Sequence, residues 1–229
     1  MTRRIVRLTP DRLDELGDGG VPCRSCVRWE LDPVRRGRLG SAQEAAAEKD
    51  VWLSWVLREW GSCGRVAVVD DVAVGYVVYA PPAFVPGADS HPTAPVSTDA
   101  VLLTTVYVDR EHAGGGLGRM LVQAVARDLV ERGGVRAVEA FGDRGSRGGC
   151  LVPAEFLAHV GFRTHRQHPL TPRMRMDLRS ALTWRDEVEA AIERLLGAVR
   201  PRRQPARPPT PTRSSGSASR ASEGACVRR

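Results

Sequence analysis

Apolar and polar positions change period repeatedly along the first 180 residues. Strand-like runs at Arg4–Leu8, Arg65–Val69, Val72–Tyr79, Val101–Val108, Val135–Phe141 and Arg173–Leu178 are separated by segments with helical spacing or turn chemistry. Thr9 followed by Pro10 offers an N-cap and a proline at the first helical position, which predicts a short helix to about Leu16. Ser41 and Glu44 form a capping-box pair, and the helix they start runs through Trp52, Trp55 and Val56 to about Trp60, where Gly61 and Gly64 end it. These tryptophans are expected to pack the core. Asp70-Asp71 between two β-rich runs predicts a hairpin. Val101–Val108 is apolar without alternation, as in a strand covered on both faces. Leu117, Leu121, Val125 and Leu129 make one stripe of a helix stopped by Gly133-Gly134. Pro153 starts a short helix that stops at Gly161. Gly17–Pro22, the basic segment Pro33–Gly40 and the proline-rich segment Pro81–Val96 read as loops, the last long enough to be a binding loop. Thr183 and Asp186 cap a final amphipathic helix within 181–200, with Val188, Ile192, Leu195 and Val199 on its apolar side.

Composition changes this picture mainly beyond the last helix. Pro201–Arg229 is rich in Pro, Arg and Ser and is expected to be a disordered tail. The chain of 229 residues has a net charge of +7, and eight arginines against the single acid Glu223 at and after Arg200 account for it. The first 199 residues are therefore near neutral, and nucleic acid is not an expected partner apart from the basic tail. Removal of residues 201–229 should leave the melting temperature almost unchanged, because so polar a segment buries little apolar surface. Thermal denaturation of the truncated chain checks this, and a large loss of stability would show that the tail docks on the body. No apolar run approaches the roughly 20 residues of a membrane helix, and the N-terminal apolar stretch is short for a signal peptide. The expectation is a cytoplasmic protein with no membrane partner. The five cysteines are Cys23, Cys26, Cys63, Cys150 and Cys226, an odd number that argues against a disulfide framework. Cys23-Arg24-Ser25-Cys26 is a single C-x-x-C with no close histidine pair, so no metal site is expected.

The segment with the clearest chemistry is Gly114-Gly115-Gly116-Leu117-Gly118-Arg119. A glycine-rich turn entering a helix N-terminus supplies converging N–H donors and the positive end of the helix dipole, which together suit a pyrophosphate. A P-loop would end in Gly-Lys-Ser/Thr, whereas Arg119-Met120 follows Gly118. A dinucleotide turn would need a third glycine where Arg119 stands, and it would begin at the strand end, from which Asp109–Ala113 separates this one.

Strand, spacer, glycine turn, long helix, strand, short helix and Gly161-Phe162 follow one another in an order that resembles the GNAT superfamily of N-acetyltransferases. The resemblance covers roughly residues 1–180, with Gly116 and Gly118 at the two small positions of the family turn and Ala113 where the family has Arg or Gln. It implies an α/β (α+β) fold with a mixed, mostly antiparallel central sheet flanked by helices. It also implies acetyl-CoA as cosubstrate, held by Val106, Val108 and Gly114, Gly115, Gly116, Leu117, Gly118 and Arg119. The partner would be an amine-bearing acceptor, a small molecule or a protein, and a homodimer is left open. The tyrosine with which the family often protonates the departing thiolate falls on Leu157. Cys150 is the substitute candidate, as proton donor or acyl carrier. His112 and His159 are weaker candidates. Glu139 is the leading candidate for the base that the charged amine needs. Glu30 and Asp32, from the segment that often forms the acceptor wall, could bind a cationic acceptor or act as base. A non-catalytic acyl-CoA-binding or thiol-sensing module is the alternative, because the tyrosine is missing and Cys23 and Cys26 are present.

Overall fold

The structure, a computed structural model, describes residues 2–16, 25–145 and 150–178. The helix expected within 181–200, the tail over 201–229 and Cys23 of the C-x-x-C lie outside these residues.

The strands are β1 (Arg3–Arg7), β2 (Gly64–Val69), β3 (Val72–Ala80), β4 (Ala100–Val108), β5 (Ala137–Asp143), β6 (Val152–Pro153), β7 (Arg163–Arg166) and β8 (Arg173–Asp177). They form one sheet in the order β1-β2-β3-β4-β5-β8-β7, with β6 beside β5. The β4–β5 and β5–β6 pairs are parallel and the other pairs antiparallel, which gives the mixed, mostly antiparallel sheet that was expected. The helices are α1 (Pro10–Asp14), α2 (Pro33–Arg36), α3 (Ala42–Trp60), α4 (Leu117–Arg132) and α5 (Ala154–His159). Among the described residues, no helix is long and apolar enough to cross a membrane.

Local chemistry explains most element boundaries. Thr9 caps α1 by accepting from the Arg12 N–H at 3.3 Å, with Pro10 in the first turn. The Ser41 hydroxyl accepts from the Glu44 N–H at 3.1 Å, and the Glu44 carboxylate reaches back to the Gly40 N–H at 2.8 Å. The β2–β3 hairpin turns on Asp70 (φ 46°) and Asp71 (φ 68°), the two consecutive positive φ angles of a type I′ turn. Several elements depart from the expectation, among them the two-residue strand β6 and the 3₁₀ turns over Pro82–Phe84 and Pro86–Ser90. Within the supposed loop Pro33–Gly40, Asp32 and Pro33 start the short helix α2. The strand β7 has the sequence Arg-Thr-His-Arg and lies at the sheet edge, largely exposed, so it carries no apolar alternation to read.

The sheet buries both faces. On one, Leu117, Leu121, Val125 and Leu129 of α4 pack with Val77, Val101, Leu103, Val138 and Ala140. On the other, Trp52, Leu53 and Val56 of α3 pack with Val66, Val78, Leu102, Ala137 and Phe141. Of the three α3 tryptophans, Trp52 is buried and Trp60 half-buried, whereas Trp55 is 40% exposed and lies against Phe84 at 4.7 Å. Asp128 ties α4 to the sheet. It accepts from Arg65 Nε at 2.6 Å and from the Tyr79 hydroxyl at 2.7 Å, and Ser62 meets that hydroxyl at 3.2 Å. This anchor holds the C-terminal half of α4 against β2 and β3.

Candidate active site

The parallel strands β4 and β5 pair only at Ala100–Leu102 and Ala137–Glu139. Beyond those residues β4 keeps β3 on one side, while β5 takes β6 through Gly142 and Asp143. The two strands thus part toward their C-terminal ends. A register shift between Val78/Tyr79 and Thr105/Leu103 makes Thr104 a bulge residue just where they separate. Val106 and Val108 follow on the half-buried end of β4. The backbone edge of this stretch, on the side away from β3, can hydrogen-bond a ligand lying along it.

The glycine turn sits at the end of this opening. A short 3₁₀ turn over Arg110–His112 carries the chain from β4 to Ala113. Gly114 (φ 77°) and Gly116 (φ 83°) adopt the left-handed backbone that side chains rarely tolerate. A Cβ at either would meet no atom within 4 Å, so conformation rather than packing requires glycine there. Gly116 is the N-cap of α4 and makes no side-chain cap. The first-turn N–H groups of α4 are therefore left to an external acceptor. The Gly115 carbonyl is held by Arg3 Nη1 at 2.8 Å, which pins the turn to β1. Gly118 has another reason to be glycine: a Cβ would come within 3.0 Å of the Phe156 ring, where α5 packs on the first turn of α4. Arg119 lines an open groove of about 550 Å³ that continues past Arg127, His159, Arg163 and His165. His159 is exposed, and His112 belongs to the turn after β4.

On the opposite face of the sheet, the half-buried Cys26 and Cys150 thiols meet at 2.9 Å. Cys150 immediately precedes Leu151 and β6, at the C-terminal end of β5. The hydrogen bond from Cys150 is the main influence lowering the Cys26 pKa to about 6; the Arg28 N–H and the Lys49 charge act in the same direction and burial against them. Cys63 is fully buried, and desolvation pushes its thiol up to about 12. Iodoacetamide at pH 7 should therefore modify Cys26 while Cys63 stays unmodified, and the Cys26 rate should level off above about pH 7. Peptide mass spectrometry over a pH series checks this; a Cys26 rate still rising at pH 9 would contradict it.

Nearby, His91 packs against both Trp29 (4.9 Å) and Phe141 (4.4 Å), whose own ring centroids lie 5.8 Å apart, so three near-parallel rings cluster together. Burial, with the Arg28 charge second, holds its pKa down to about 4, so the ring is neutral at pH 7. Neither this stack nor the thiol contact has a local sequence signal, since each joins segments far apart in the chain.

The three carboxylates expected in acid–base or acceptor roles are engaged elsewhere. Glu139 is fully buried; it accepts from the Ser97 N–H at 3.1 Å and from Arg175 Nη1 at 3.3 Å, and lies 3.3 Å from Arg173 Nε. Glu30 is buried in an ion pair with Lys49 at 3.0 Å and accepts from the Trp29 N–H at 3.1 Å. Asp32 caps α2 through the Val34 and Arg35 N–H groups at 2.8 and 3.0 Å, and the Arg35 bond is the first cause lowering its pKa. Glu139 and Glu30, the two carboxylates expected to act as base, are thus each held in ion pairs within the fold. Leu157 is wholly buried and offers no hydroxyl.

A family model described as the acetyltransferase (GNAT) family matches residues 27–147, just over half of the chain. No curated protein matches the sequence. Similar solved structures include the PaiA N-acetyltransferase of Thermoplasma acidophilum in complex with coenzyme A, at 12% identity over 77% of this chain and 99% of that one, with a TM-score of 0.49. Another is YhbS of Escherichia coli in complex with CoA, at 21% identity over 77% and 81%, with a TM-score of 0.43. A third is the ribosomal-protein-S18-alanine N-acetyltransferase of Escherichia coli, at 14% identity over 77% and 94%, with a TM-score of 0.44.

Proposed function

The chain belongs to the GNAT acetyltransferase family, and on that premise we propose that it moves an acetyl group from acetyl-CoA to a primary amine of a small molecule or a protein. The observation that carries this reading is the glycine turn at the N-terminus of α4, opening where β4 and β5 separate. Acetyl-CoA supplies an activated thioester. The N–H groups of Gly114 to Arg119 hold its pyrophosphate, and the open edge of β4 at Val106 and Val108 holds the arm that leads to the thioester. The cationic groove past Arg119, Arg127 and His159 is continuous with the turn and suits the remaining phosphate.

The acceptor approaches from the side where Trp29, His91 and Phe141 stack. The proton of its ammonium form leaves through water, since Glu139 and Glu30 are committed to ion pairs. Cys150 gives a proton to the departing thiolate. An amine panel with acetyl-CoA, read as free-thiol release, tests the function directly: no release with any amine above the hydrolysis rate would favour the non-catalytic acyl-CoA-binding reading. With an acceptor in hand, Cys150→Ala should lower kcat by at least tenfold with little change in acetyl-CoA affinity, because a general acid acts mainly in the transition state. Wild-type kcat in that variant would end the proton-donor role.

A further inference from the structure

The contact between Cys26 and Cys150 needs an explanation whether or not Cys150 also serves acyl transfer. The chain brings them together from positions 124 residues apart. Two features of the fold enforce the meeting. Lys49, buried on α3, donates to the Cys26 carbonyl at 2.8 Å and pairs with Glu30, so the start of the segment running into Trp29 is pinned to α3. Cys150 is held from the other side, because two residues later Val152 enters β6 and pairs with Gly142. Neither sulfur is in the apolar core: both are half-buried, unlike Cys63. At 2.9 Å the sulfurs lie less than an ångström from the roughly 2.05 Å of a disulfide.

We infer that Cys26 and Cys150 form a reversible dithiol–disulfide pair, closed by a hydroperoxide oxidant, that fastens the Cys26–Leu31 segment to the β6 end of the β4–β5 opening. The Cys26 thiolate attacks one peroxide oxygen, the O–O bond breaks, and the other oxygen leaves as water or alcohol after taking a proton. Cys26 is then a sulfenic acid. The Cys150 sulfur attacks the Cys26 sulfur, the S–S bond forms, the S–O bond breaks, and the hydroxide leaves as water with the Cys150 proton. Two electrons pass from the two thiols to the peroxide, so hydrogen peroxide yields two waters. The low pKa of Cys26 favours it as the attacking sulfur and leaves Cys150 to resolve. A C-x-x-C reading would pair Cys26 with Cys23 instead; the structure turns Cys26 toward Cys150.

The test uses the full-length reduced protein treated with a few equivalents of hydrogen peroxide, blocked with iodoacetamide and digested without reductant. The expected product is a cross-linked peptide joining Cys26 to Cys150, lost on addition of dithiothreitol, with Cys63 recovered in its thiol form. In Cys150→Ser the cross-link should vanish and Cys26 should instead be trapped by dimedone as a sulfenic acid. A Cys23–Cys26 link, a link through Cys226 as the main product, or Cys26 and Cys150 both surviving as thiols would overturn the inference. The readout is a peptide mass, so it is independent of acetyl transfer.

Discussion

Gly116→Val should abolish the rise in melting temperature that acetyl-CoA gives the wild-type protein. Ligand binding to the folded state alone stabilises it by about 2.7 kcal/mol at a hundredfold excess over Kd. For a chain of this size that amounts to a shift on the order of 5–10 °C. The substitution acts where conformation and recognition coincide. Gly116 has φ 83° and caps α4, so a β-branched residue there is strained by about 1–2 kcal/mol and tends to rotate the first-turn N–H groups out of line. Its side chain would also project into the exposed side of the turn, where no protein atom lies within 4 Å of a Cβ. That room is why the fold should survive while binding is lost. Unchanged binding in Gly116→Val would remove the turn from the account.

Lys49→Met should destabilise the protein by about 3–5 kcal/mol, the cost of leaving one charge of a buried pair without its partner. Lys49 and Glu30 are both nearly inaccessible, with side-chain exposures of 3% and 1%. The variant also removes the donor to the Cys26 carbonyl. The double variant Lys49→Met, Glu30→Leu should recover more than half of the loss, since it leaves no buried charge. Urea denaturation of the two variants checks both statements, and a loss under 1 kcal/mol in the single variant would show that water reaches the pair.

Much of the scaffold was legible because its signals are local. Thr9-Pro10, Ser41 with Glu44, Asp70-Asp71 and Gly133 each act within a few residues, and each marks the observed boundary of an element. The glycine turn was legible for the same reason, since positive φ and helix entry are written in adjacent residues. The fates of Glu139 and Glu30 were not. Glu139 lies in a strand and could face either a ligand or the interior; the β5–β8 register, which sets it opposite Arg175, decides between them. Glu30 is taken up by the buried Lys49 of α3, a partner 19 residues away that no local signal announces. The Cys26–Cys150 contact and the Trp29–His91–Phe141 stack arise in the same way, from segments that meet only in the folded chain.

Amide hydrogen exchange with and without saturating acetyl-CoA tests the central claim most directly, because it locates the ligand on the chain without requiring an acceptor. The account predicts slowed exchange concentrated in peptides covering Leu103–Val108 and Gly114–Met120, with β1 and the α1 segment little changed. Saturating acetyl-CoA that leaves the Gly114–Met120 amides exchanging at the unliganded rate would contradict it.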